Sequence, residues 1–118
     1  MNYLFILRQP VSATETYEVE LNFMQRLADT ADARVQAVFL TDRAVAISSG
    51  SVGAIAQHKE IQEKLIELKD MFSCELLVCG RPFKDAALSY ESMDPNFTLS
   101  GNFELSAQIA AADRVIEF

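Results

Sequence analysis

Residues 3–7 read Tyr3-Leu4-Phe5-Ile6-Leu7, an unbroken apolar run halted by Pro10 and Ser12. A strand with one wet face alternates apolar and polar residues. A run without alternation is the signature of a strand covered on both faces. That reading predicts a sheet with helices above and below it, and the rest of the chain supplies them. Ser12-Ala13-Thr14-Glu15 has the pattern of a capping box, with Ser12 as the N-cap. Tyr17, Leu21, Met24 and Leu27 follow at helical spacing, and Asp29 to Asp32 makes a turn. Arg34 to Leu40 reads as a second strand, with Val35, Ala37 and Phe39 on one face and Gln36 on the other. Thr41 to Gly53 holds two of the four glycines and reads as a mobile loop or a loop with a short helical turn. Ile61, Leu65, Leu68 and Phe72 mark a second amphipathic helix. Leu76-Leu77-Val78-Cys79 is a third strand, and Gly80-Arg81-Pro82 opens a short helix. Phe97-Thr98-Leu99 is a fourth strand, Asn102 caps a helix through Leu105 and Ile109, and Arg114-Val115-Ile116 is a fifth strand. Strand and helix alternate throughout. The expectation is one α/β domain over residues 1–118, a three-layer α/β/α sandwich on a mainly parallel five-stranded sheet.

Composition narrows the function. The chain has 118 residues, is 50% apolar and 23% charged, and carries a formal charge of −7. A net-acidic domain without a basic cluster is a poor direct ligand for nucleic acid. Two cysteines, Cys74 and Cys79, cannot build a disulfide scaffold or a four-ligand zinc site, and a histidine-based site has only His58 to use. No apolar run is long enough to span a membrane, and no signal peptide is visible. The expected compartment is a reducing cytoplasm, where both cysteines are thiols.

In a parallel α/β sheet, chemistry gathers beyond the carboxyl ends of the strands. Cys79 stands at such an end, just before a helix start, with Arg81 and Lys84 close in sequence. Orphan amides and positive charge there favour a thiolate. The same position after Leu76-Leu77-Val78 also suits an inert core thiol. Cys74 lies at the other end of the strand, roughly 16 Å away and on the opposite face, so it cannot bridge to Cys79. His58 reads as a solvated helix-end residue, or as a base for Cys79 if the 41–60 segment folds over the strand ends. Ser48-Ser49-Gly50-Ser51-Val52-Gly53 reads as a flexible loop or as a backbone cradle for an anion, without the ending of a P-loop. Asp42, Arg43 and Asp94 read as solvating loop residues. Ser100-Gly101 lies on the same sheet edge as Cys79, as an ordinary turn or as a wall beside the thiol.

Three stretches give the chain a family resemblance: the opening strand with Pro10 and a Ser/Thr-rich helix entry, Glu75-Leu76-Leu77-Val78-Cys79, and Phe97-Thr98-Leu99-Ser100-Gly101 followed by a helix and Ala112-Asp113-Arg114-Val115-Ile116-Glu117-Phe118. Phe39-Leu40-Thr41-Asp42-Arg43-Ala44-Val45 adds to them. Across its whole length the sequence resembles the DsrE/TusD sulfur-relay family (DsrE/DsrF-like). The resemblance implies a sulfurtransferase-type carrier in which Cys79 accepts a sulfane sulfur as a persulfide and passes it to an acceptor thiol. The destination would be transfer RNA thiolation or sulfur oxidation. It implies donor and acceptor proteins as partners, and a homotrimer, homohexamer or hetero-hexamer with paralogous subunits. Such exchange needs no metal or organic cofactor. Two positions depart from the family pattern: Gly80-Arg81-Pro82-Phe83-Lys84-Asp85 replaces a small-residue run with Arg-Gly, and Gln9 replaces a glycine. Two further readings stand beside the carrier. One is a non-catalytic module binding a nucleotide or other anionic small molecule at the strand ends. The other is a structural subunit of a hetero-oligomer, with a buried, unreactive Cys79.

Overall fold

A computed structural model describes residues 1–118. Five strands, β1 (Asn2–Leu7), β2 (Arg34–Leu40), β3 (Glu75–Cys79), β4 (Phe97–Ser100) and β5 (Arg114–Glu117), form one sheet in the order β4-β3-β2-β1-β5. Every pairing is parallel. The helices are α1 (Thr14–Arg26), α2 (Ala56–Phe72), α3 (Gly80–Asp85) and α4 (Asn102–Ala111). The chain steps from β1 to β4 in one direction, then returns past β1 to place β5. Right-handed crossovers put helices on one face while the chain steps one way and on the other when it reverses. Accordingly, α1 and α2 bury their stripes in one core, and α4 packs on the opposite core.

The two cores are unequal. The first holds 20 buried residues, among them Phe5, Tyr17, Leu40, Ile47, Leu65 and Phe83. The second holds six: Leu4, Ile6, Ala37, Phe39, Leu77 and Cys79, with only Leu105 and Ala112 leaning on it from the α4 side. No residue of α4 is buried.

Several local expectations change. The first helix begins at Thr14 with Ala13 as its cap residue, and no side chain caps it. Ser12 therefore forms no capping box; the amide of Ala13 instead donates to the Pro10 carbonyl, closing the turn. Asn102 is the first residue of α4 and Gly101 its cap. Strand β2 carries a bulge: Tyr3 pairs with Val35 but Leu4 pairs with Ala37, leaving Gln36 as the extra residue. The bulge sends Val35 into the first core and Ala37 and Phe39 into the second, so these three do not share a face. Gln36 reaches across the α4 side to the backbone and side-chain oxygens of Gln108, at 2.7 and 2.9 Å.

The 41–53 segment is packed rather than mobile. It forms two 3-10 helices, Asp42–Ser48 and Gly50–Ala54, with Ala44, Val45, Ile47 and Val52 buried. Gln62 of α2 is fully buried beneath it and donates to the carbonyls of Ile47 (2.7 Å) and Ser49 (3.1 Å). Ser49 bridges to Met93, so the segment is tied to the stretch before β4 as well. A Cβ on Gly50 would stand 2.9 Å from the Ser92 carbonyl oxygen, so the close approach there requires glycine.

Glu20 of α1 is 3% exposed, one of its carboxylate oxygens has no partner, and burial pushes its pKa up to about 7. The folded chain therefore holds this proton more tightly than the unfolded one. The resulting stability is complete below about pH 4.5, where both states are protonated, and is lost as pH rises through 7. After allowance for solvent screening the effect is about 2 kcal/mol. Denaturant unfolding of wild type and Glu20→Gln at about pH 4 and about pH 8 checks it. The variant should gain on wild type by about that amount at the higher pH. A difference that does not change with pH would remove the argument.

Candidate functional site

Cys79 closes β3 and caps the start of α3. The segment Leu76–Cys79 is buried and extended because its side chains feed both cores in turn: Leu76 and Val78 the first, Leu77 and Cys79 the second. Cys79 is 6% exposed. On β4 its direct partner is Ser100, so the strand-to-helix turn at Ser100-Gly101 does adjoin the thiol. A Cβ on Gly80 would lie 3.2 Å from the Ser100 carbonyl oxygen, so glycine lets the two strand ends close on each other. The Ser100 hydroxyl is buried and has no hydrogen-bond partner.

Cys74 is a separate matter. It lies in the first core, across the sheet from Cys79, as its odd spacing implies. Both cysteines are free. Burial pushes the Cys74 thiol up to about 11, and its sulfur contacts the Leu68 carbonyl at 3.9 Å. A thiol held protonated in this way is inert at neutral pH.

The other sequence candidates fall elsewhere. His58 lies in the first turn of α2, which packs on the first core, whereas Cys79 faces the second. The sheet stands between them, and His58 is not its base. Ser48 and Ser49 are buried and engaged: the Ser48 hydroxyl donates to the Val45 carbonyl, Ser49 Oγ lies 2.9 Å from Ser51 Oγ, and Ser49 Oγ accepts from the Ser51 amide. These groups knit the segment together instead of facing outward to an anion.

Beyond the ends of β1 and β2, and against α3, a cleft of about 580 Å³ opens between Pro10, Asp42, Arg43, Val45, Ala46, Pro82, Asp85 and Ala86. Asp42 sits at its rim in a left-handed conformation (φ 51°) and pairs with Arg8 at 2.9 Å. Arg8 also grips Glu117 at 2.6 Å, so one guanidinium ties the ends of β1, β2 and β5. Asp42 is thus a structural anchor as well as a loop residue. The charged groups lining the cleft are Asp42, which Arg8 neutralises, Asp85 and Arg43, so no cluster of cations faces it. No group of three His, Cys, Asp or Glu side chains is placed to hold a metal ion. No helix is long and apolar enough to cross a membrane.

The sequence marks Ser100 as part of a turn beside the thiol, and the alternation of β4 adds that it shares a face with Thr98 and opposes Leu99. Gln62 is the residue that the sequence does not single out, although it sits beside Ile61 inside the apolar stripe of α2.

A family model described as the DsrE/DsrF-like family matches residues 1–118. The ychN protein from E. coli, known from its crystal structure, superposes with a TM-score of 0.68 at 14% identity, covering 100% of both chains. The structure of MTH1491 from Methanobacterium thermoautotrophicum, a protein of unknown function, gives 0.69 at 11% identity, covering 99% of this chain and 98% of that one. At these identities the two structures speak for the fold alone. No curated protein matches the chain in sequence.

Proposed function

We propose, on the premise that this chain belongs to the DsrE/DsrF-like family, that it is a sulfur-relay subunit working through Cys79. The observation that carries the reading is the position of Cys79: the carboxyl end of a central parallel strand, at a strand-to-helix junction, under the thinner of the two helical layers. The Cys79 thiolate attacks the outer sulfur of a donor persulfide. An S–S bond forms to Cys79, the donor's S–S bond breaks, and the donor leaves as a thiolate. The reverse exchange hands the sulfur to an acceptor thiol. No net oxidation occurs, and the donor and acceptor are thiol-bearing proteins of the same reducing compartment. The test is incubation with a persulfide donor followed by intact mass spectrometry without reductant. Wild type should gain sulfur, and reductant should remove it. The burial of Cys79 equally suits a purely structural subunit, and a wild type that gains no sulfur would favour that role.

Assembly belongs to the same reading. On the α4 side, Phe103 is 90% exposed, and Ile109 and Val115 are 45% and 43% exposed. Such a group of apolar side chains on a small domain is an interaction surface. The chain covers it with further copies or with paralogous subunits. Light scattering should find purified wild type assembled and Phe103→Asp reduced to smaller species. A wild type that is monomeric at micromolar concentration would remove self-assembly from the proposal.

A further inference from the structure

We infer that Ser100 is a positioning residue that donates a hydrogen bond to sulfur carried on Cys79. The inference rests on Cys79 being the sulfur acceptor and adds a partner to it.

Ser100 and Cys79 are directly opposite each other on adjacent parallel strands. Leu77, which pairs with Thr98, lies in the second core with Cys79. Ser100, two residues beyond Thr98, therefore presents its side chain on the Cys79 face. Neighbouring strands run about 4.8 Å apart, so the hydroxyl stands beside the thiol. That hydroxyl is buried and makes no hydrogen bond. Buried polar groups are rarely left unpaired, and those that are ask for a functional explanation. The side chains clustered with Cys79 (Ile6, Phe39 and Leu77 among them) offer it no acceptor.

Sulfur transfer supplies one. The added atom lengthens the Cys79 side chain by about 2 Å. The terminal sulfur of a persulfide is readily anionic, and an apolar setting disfavours an unpaired anion. An unpartnered hydroxyl on the neighbouring strand is a charge-assisted donor to such an anion. The charged groups at this end do not replace it. Glu104 of α4 is exposed and accepts from Gln108 at 3.2 Å, and Arg81 of α3 is exposed. In the transfer itself Ser100 forms and breaks no covalent bond. Sulfur moves from donor to Cys79 and the donor departs as thiolate, while the Ser100 hydroxyl keeps its proton.

The experiment follows sulfur uptake from cysteine persulfide by intact mass, over about pH 6 to pH 9, for wild type, Ser100→Ala and Ser100→Thr. The donor serves anionic sulfur at Cys79, as thiolate or as persulfide, and not the neutral thiol, so Ser100→Ala should take up sulfur about tenfold more slowly and with its pH midpoint raised by about one unit. Ser100→Thr, which keeps the hydroxyl, should restore both. The melting temperature of Ser100→Ala should not fall, because the hydroxyl makes no bond in the free protein. If wild type loads and Ser100→Ala matches it in rate and midpoint, the role of Ser100 falls while the carrier stands. A slower Ser100→Ala with an unchanged midpoint and no rescue by threonine would make the residue merely structural. A wild type that takes up no sulfur overturns both.

Discussion

Cys79→Ser is expected to take up no sulfur at all from a persulfide donor, while Cys74→Ser takes it up like wild type. A serine hydroxyl stays protonated at neutral pH and does not attack sulfane sulfur, so the loss is complete rather than graded. Cys74 cannot stand in for it. It faces the other core, and burial raises its pKa to about 11, leaving almost no thiolate. Serine nearly matches cysteine in size but sets a hydroxyl among apolar side chains, so the substitution should cost about 1–2 kcal/mol and leave the protein folded. Three intact-mass measurements on folded protein decide the matter. Sulfur gained by Cys79→Ser and released by reductant would place the chemistry elsewhere.

Gln62→Met should lower the melting temperature by roughly 10 °C. Methionine fills nearly the same volume, so the effect is not a cavity. What disappears is the amide that donates to the Ile47 and Ser49 carbonyls at 2.7 and 3.1 Å. The Ile47 carbonyl is left without this donor, the Ser49 carbonyl keeps only the Val52 amide at 3.2 Å, and about 2 kcal/mol is expected in all. The Lys59 ammonium also loses its acceptor, Gln62 Oε1, at 2.9 Å. The damage should spread from α2 into the 42–54 segment that these bonds hold down. Calorimetry showing a shift below about 2 °C would mean that water satisfies the carbonyls instead.

The strands were legible because each is short, apolar and bounded by turn residues. Arg34–Leu40 is read to the residue, and Cys74 and Cys79 fall on opposite faces as their spacing requires. Faces within β2 were not legible. A bulge at Gln36 depends on how β1 pairs with it, and pairing is a relation between strands that neither sequence segment contains alone. In the 41–53 segment the short helical turn is found and the mobile loop is not, although its serines and glycines point to the loop. Ala44, Val45 and Ile47 were the signal to weigh against them, since apolar residues at that spacing do not belong to a mobile loop. For the candidate site, the sequence marked Cys79 through its strand end and the turn beside it. It could not pair Ser100 with Cys79, because the neighbour of β4 is set by the tertiary order of the sheet. Nor could it show how few residues of the α4 side pack on the second core.

The place of β5 bears on how the chain is made. Tyr3 pairs with Arg114, and Phe5 stacks on Phe118 with ring centres 6.0 Å apart. Of the five strands of this sheet, the first to be synthesised thus waits for the fifth. During synthesis β1 can pair with β2, and β3 and β4 can add in order, but its other edge stays open with Leu4 and Phe5 beside it. An open apolar edge is a template for unwanted pairing. Until Arg114–Glu117 arrives that edge is open to another chain, and the arrival of that strand closes it.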